Sequence, residues 1–160
     1  MSEIVAAAAF FAAVRHAGQK YGQHPYTHHL AEVVNLLADA GLNEPEQLAA
    51  AWLHDVVEDT ETDLAEIDRV FGSPVAILVN AVTSAPGRNR KERNAATYPK
   101  LPQVGTGAGA LKLCDRIANV ESCWRTRDAK LFMYQREYRD FRAALRREDD
   151  DARVLAMWAT

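Results

Sequence analysis

Apolar residues in this chain recur almost everywhere with the period of an α-helix, and no stretch alternates long enough to read as a strand. The punctuation agrees with that period. Ile4 to about Gln19 reads as a first helix, after which Gly22 and Pro25 break the pattern in a loop, KYGQHPYT. HHLAEVVNLLADAG is a second helix, closed by Gly41 as a left-handed cap. Asn43 with Glu46 has the form of a capping box for the helix that carries His54. Thr62 or Asp63 can cap DLAEIDRVFG, and Ser73 with Pro74 supplies a cap and a first-turn proline for VAILVNAVT. Ser84 to Ala108 contains VGTGAG and a basic cluster, and reads as a long loop with a short helix near Arg90 to Ala96. Helix resumes in ALKLCDRIANVESCW, in AKLFMYQREYRDFRAALRR and in DDDARVLAMWAT, where the acidic run Glu148 to Asp151 complements the positive end of the last helix dipole. The expected fold class is all-α.

A chain of 160 residues suits one compact domain, so residues 1–160 are expected to form a single unit. The net charge of −3 argues against a general nucleic-acid binder, although GRNRKERN, Gly87 to Asn94, concentrates positive charge locally. No apolar run is long enough to span a bilayer, and IVAAAAFFAAV lacks the basic region that precedes a signal sequence; a cytoplasmic protein is expected. Cys114 and Cys123 match neither a close thiolate pair nor a disulfide framework, which leaves buried, reduced thiols.

The chemistry concentrates in AAAWLHDVVEDT, Ala49 to Thr60. If this is one continuous helix, His54, Asp55, Glu58 and Asp59 project from one edge of it. A divalent-metal site needs several oxygen or imidazole donors from different elements, and His54 and Asp55 offer two. Further donors are His29, early in the second helix, and Asp115, in the apolar stretch LKLCDRIANV. A carboxylate among core-facing residues is costly unless neutralised, so Asp115 is either a metal ligand or the partner of Arg116 or a neighbouring arginine. His16, His24 and His28 read as surface or structural histidines. Glu58 and Asp59 are either a solvated helix end or, beside a metal-binding pair, proton acceptors in the site.

Four segments, HAGQKYGQHPYTHH, AAWLHDVVEDTETDLAEIDRVFG, VAILVNAVTS and LKLCDRIANVES, resemble in order and separation the hydrolase domain of the RelA/SpoT family and its small single-domain relatives, which are HD-domain phosphohydrolases. The resemblance runs from about Ala7 to Trp124. It implies one divalent ion, usually Mn2+, held by His29, His54, Asp55 and Asp115, with Glu58 and Asp59 assisting catalysis. It places Asn119 and Ser122 on the nucleotide site. Two departures stand out: Lys20-Tyr21 replaces the arginine-lysine pair that covers guanine and reaches phosphate, and Ala118 replaces a histidine or tyrosine.

The implied activity is removal of pyrophosphate from the 3′ position of (p)ppGpp, giving GDP or GTP. The expected partner is therefore a small-molecule nucleotide, not a nucleic acid or a membrane. Lys20, Arg88, Arg90, Lys91 and Arg93 are candidates to neutralise its phosphates, against the plain reading of the loop arginines as a solvated face. Tyr21 is a candidate to stack on the base, against the plain reading that it ends the first helix by packing on Pro25 or Tyr26. Rival readings are an HD hydrolase of another nucleotide or phosphoester, prompted by QKYG, and a catalytically silent nucleotide-binding regulatory module.

Overall fold

The computed structural model describes residues 2–147 and 150–159, and those residues are predominantly helical. The order is α1 (Glu3–Arg15), a two-stranded hairpin of β1 (Lys20–Tyr21) and β2 (His24–Pro25), α2 (Thr27–Asp39), α3 (Pro45–Leu53), α4 (Val56–Asp59), α5 (Leu64–Phe71), α6 (Ser73–Val82), α7 (Arg90–Thr97), a 3-10 helix (Tyr98–Val104), α8 (Thr106–Thr126), α9 (Lys130–Leu145) and α10 (Ala152–Met157). The all-α expectation holds. None of the described helices is long and apolar enough to cross a membrane.

Several boundaries differ from the sequence reading for local reasons. α1 ends at Arg15, short of Gln19, because His16 leaves the helical register and Gly18 turns the chain at φ 82°. The loop KYGQHPYT is the hairpin, in which Lys20 faces Pro25 and Tyr21 faces His24; it is too short to show alternation. α3 starts on Pro45, whose fixed φ suits a first helical position, and the preceding Glu44 makes no side-chain cap bond, so the Asn43/Glu46 box is not formed. Ser73 lies inside α6 and donates to Asp68 Oδ1 at 2.7 Å, while Gly72 takes the cap position. The expected long loop is shorter than read: after α7 the chain runs through the 3-10 helix to Val104, and Gly105 alone separates it from α8, of which Thr106 to Gly109 are the first turn.

Other signals work as read. Asp63 accepts the Glu66 N–H at 2.8 Å, and Gly41 ends α2 with Leu42 N–H bonded to the Leu37 carbonyl at 2.9 Å, as in a Schellman cap. Asp151 caps α10 through the Arg153 N–H, whereas Glu148 and Asp149 lie outside the described residues.

The core is centred on α3, which packs against α1, α2, α6 and α8. Alanine makes this crowding feasible: Ala8 and Ala12 of α1 and Ala49, Ala50 and Ala51 of α3 are fully buried. Leucine, valine and isoleucine fill the remainder, notably Leu30, Val33, Leu53, Val79 and Leu111. Cys114 and Cys123 are free and buried, and burial pushes the Cys114 thiol up to about 12. Native protein treated with iodoacetamide near neutral pH is therefore expected to remain unlabelled at Cys114 and to become labelled in denaturant. Mass spectrometry of the tryptic peptide checks this, and rapid native labelling would contradict the packing.

Candidate metal centre

His54 and Asp55 do not lie within one helix. α3 ends at Leu53 and α4 starts at Val56, so the pair forms the corner between them, with Asp55 at φ −99° and ψ −6°, a sparsely used region. This turn, rather than an unbroken helix edge, presents the two side chains together. Nδ1 of His54 lies 2.8 Å from the Ala51 carbonyl, which can only accept, so Nδ1 carries the hydrogen and Nε2 faces the site.

Three elements converge on that nitrogen. His29, in the first turn of α2, places Nε2 at 3.6 Å from Asp55 Oδ2 and 3.4 Å from Asp115 Oδ1 of α8. His54 Nε2 is 3.1 Å from Asp55 Oδ2 and 3.7 Å from Asp115 Oδ1, and among the described residues it has no hydrogen-bond partner despite being buried. Donors bound at about 2.0–2.2 Å to one ion stand about 3–3.5 Å apart in tetrahedral or octahedral geometry. The cluster fits that spacing. His29, His54 and Asp55 each offer a ligand atom within 4.8 Å of the others, and together they suit a divalent ion.

The two carboxylates dominate the electrostatics, and a bound ion would take the place of the proton they favour on His54. Burial alone would push the His54 imidazole down, but the neighbouring Asp55 and Asp115 hold its pKa well above the usual value. Burial alone would raise Asp55, and the His54 imidazole outweighs it, lowering Asp55 to about 2. The carboxylates thus concentrate negative potential where a cation would sit. Asp115 stays ionised against its burial chiefly through Lys112, whose Nζ is 3.2 Å from Oδ2. Lys112, not Arg116, is the ion-pair partner of Asp115. It is reached by one helical turn and was hidden in sequence because a single lysine in LKLCD looks like a surface position.

Around the cluster, Tyr26 links the two acidic groups: its hydroxyl lies 2.7 Å from Asp55 Oδ2 and 2.9 Å from Asp59 Oδ2. Glu58 Oε1 accepts the Ser84 N–H at 2.7 Å. Asn119 donates to Asp115 Oδ1 at 2.6 Å and accepts from the Tyr21 hydroxyl at 2.9 Å. The Tyr21 ring stacks on His29 with centroids 4.7 Å apart and also meets Tyr26 edge to face. The hydroxyl of Tyr21 also interacts with Ser122. His16 is buried, bonded through Nδ1 to Gln19 Oε1 at 2.7 Å and stacked on Tyr26, a structural role; His24 and His28 stack on each other at the surface.

A polar cleft of about 210 Å³ opens on the cluster, and its lining includes the acids Asp55, Glu58 and Asp115 and the cations Arg90, Lys112 and Arg116. Among the loop candidates, Arg90 reaches this cleft, while Arg93 does not line it and Arg88 is largely exposed and paired with Glu92. Lys20 is exposed on the hairpin.

A family model for the HD domain matches residues 7–148. The chain belongs to the HD-domain family. Among relatives of this HD domain, the guanosine-3′,5′-bis(diphosphate) 3′-pyrophosphohydrolase MESH1 of Danio rerio is 34% identical over 114 residues, which are 69% of this chain and 63% of that one. The guanosine-3′,5′-bis(diphosphate) 3′-pyrophosphohydrolase of Aquifex aeolicus is 35% identical over 157 residues, covering 93% of this chain and 21% of that one. The matches thus span less than two thirds of either relative. The solved structure of a metazoan ortholog of SpoT that hydrolyzes ppGpp superposes with a TM-score of 0.84 at 23% identity, covering 99% of this chain and 93% of that chain. That likeness is one of fold.

Proposed function

We propose that this HD domain, read as a single unit over residues 1–160, is a metal-dependent pyrophosphohydrolase that removes the 3′-pyrophosphate of (p)ppGpp to give GDP or GTP, with Mn2+ as its ion and the cytoplasm as its place of action. The observation that carries the reading is one cleft in which an imidazole–carboxylate cluster, additional acids and three cations meet. The names of the relatives support the choice of substrate.

His29, His54, Asp55 and Asp115 would hold the ion, which when bound polarises a phosphoryl oxygen and makes a water acidic near neutral pH. Glu58 and Asp59 are the proton acceptors. Ser84 fixes one oxygen of Glu58 and leaves the other to take a proton from the water that attacks the phosphorus on the 3′ oxygen; Tyr26 orients Asp59. Lys112, Arg90 and Arg116 neutralise phosphate charge, aided by Lys20 and Arg93 as the nucleotide enters. Asn119 and Ser122 border the nucleoside through their contacts with Tyr21.

The test is a panel of nucleotides and phosphoesters incubated with Mn2+-loaded protein, with products separated by chromatography. Pyrophosphate and GDP from ppGpp is the expected result, and an intact ppGpp beside a turned-over competitor would redirect the assignment.

Tyr21 is partly buried, stacked on His29 beside the cluster, and is read as the ring on which a base stacks. Aromatic stacking is worth about 1–3 kcal/mol and discriminates little between bases. Guanosine and adenosine 3′,5′-bis(diphosphates) are therefore expected to be hydrolysed at rates within about tenfold of each other, both slowed by Tyr21→Ala. A strong guanosine preference that survives the substitution, with metal content unchanged, would show that the base is read elsewhere.

A further inference from the structure

Arg90 and Arg116 approach the same carboxylate from different elements. Arg90 of α7 donates to Glu137 through both Nε, at 2.7 Å, and Nη2, at 3.2 Å, and Arg116 of α8 places Nη2 at 3.2 Å from the same group. Glu137 belongs to α9, which supplies none of the metal-site candidates. The ring of Tyr134, one turn earlier on α9, lies beneath both guanidiniums, 5.5 Å from that of Arg90 and 4.8 Å from that of Arg116. Arg116 is further seated over Phe141 at 4.2 Å. Both arginines and Tyr134 line the cleft; Glu137 does not.

Two guanidiniums side by side repel, and long side chains lose rotamer freedom when held. A single carboxylate behind them offsets the repulsion and fixes both planes, while a ring between them supports each by cation–π contact. The side chain of Glu137 is 21% exposed and that of Arg116 13%, so this is a partly desolvated arrangement rather than a surface pair. Arg90 spends one edge of its fork on Glu137 and keeps Nη1 for another acceptor.

We infer that Glu137 is a positioning residue that assembles Arg90 and Arg116 into a receptor for a pyrophosphate-bearing ligand, acting through the arginines and without touching the ligand. The inference rests on the proposed hydrolysis for its substrate, but the receptor itself is defined by the phosphate chain. It makes α9 a part of the binding apparatus, joined to α7 and α8 by this carboxylate.

The opposite role is a competing one: a carboxylate that occupies the arginines until phosphate displaces it. The two roles give opposite signs. In a folded Glu137→Gln variant with normal metal content, binding of inorganic pyrophosphate, followed by calorimetry, is expected to weaken about tenfold, with KM for ppGpp rising in parallel and kcat changing less than about twofold. Glu137→Asp should restore part of the affinity. Arg90→Lys, which keeps the charge but cannot make the two-point contact, should reproduce the loss and serves if Glu137→Gln does not fold. Unchanged or tighter pyrophosphate binding in these variants overturns the inference. Because pyrophosphate binding needs no turnover, weakened binding with ppGpp left intact by the parent protein would retain the receptor and overturn only the substrate reading.

Discussion

Asp55→Ala protein, purified folded and dialysed against Mn2+, is expected to retain little of the ion and to lose turnover by at least about a thousandfold. Asp55 is the group whose loss disturbs most, because its Oδ2 lies within reach of both imidazoles, 3.1 Å from His54 and 3.6 Å from His29, and also accepts from Tyr26. Alanine leaves His54 and His29 in place but removes one of the two carboxylates that reach both imidazoles, and the imidazoles with Asp115 alone attract a divalent cation far less. The side chain is 17% exposed at the cleft, so truncation leaves the apolar core intact, which circular dichroism would verify. Elemental analysis showing full occupancy in that folded variant would remove Asp55 from the ligand set.

The second large effect is expected one turn further on. Glu58→Gln or Asp59→Asn should lower kcat by about 10²- to 10⁴-fold, the usual worth of a positioned general base, while the metal and the nucleotide remain bound. The two positions are held differently. Glu58 is tied to the Ser84 backbone and Asp59 to the Tyr26 hydroxyl, so neither is a freely solvated helix end although both are exposed. Near-normal turnover of both variants would mean that the attacking water loses its proton to some other group.

The residue types of the cluster were legible before any geometry. A histidine–aspartate pair and a carboxylate stranded in LKLCDRIANV have few stable uses apart from pairing or metal binding, and the structure brings both carboxylates to within 4 Å of His54. The corner at His54-Asp55 was not legible, since no glycine or proline marks it. It is a tertiary outcome: Asp55 turns out of helical geometry where Tyr26, His29 and His54 all meet it. Pro45 takes the first helical position and so makes Glu44, not Asn43, the residue that precedes the helix. Lys112, Tyr26 and Glu137 could not be singled out because their importance comes from contacts across the fold, and Lys112 and Glu137 sit in stretches that read as ordinary amphipathic helix.

The crowding of alanines between α1 and α3 has a bearing on how such a protein can change. Close-packed backbones tolerate almost no increase in side-chain volume, so the end of α3, and with it the His54-Asp55 corner, is hard to move by mutation. Arg90 and Glu137 sit on half-exposed helices joined by polar contacts, where exchange of one side chain for another costs little of the core. Under the proposed function, metal chemistry is thereby anchored in the inflexible part of the molecule and ligand choice in the replaceable part, an arrangement in which descendants of this chain could acquire new substrates while inheriting the same reaction.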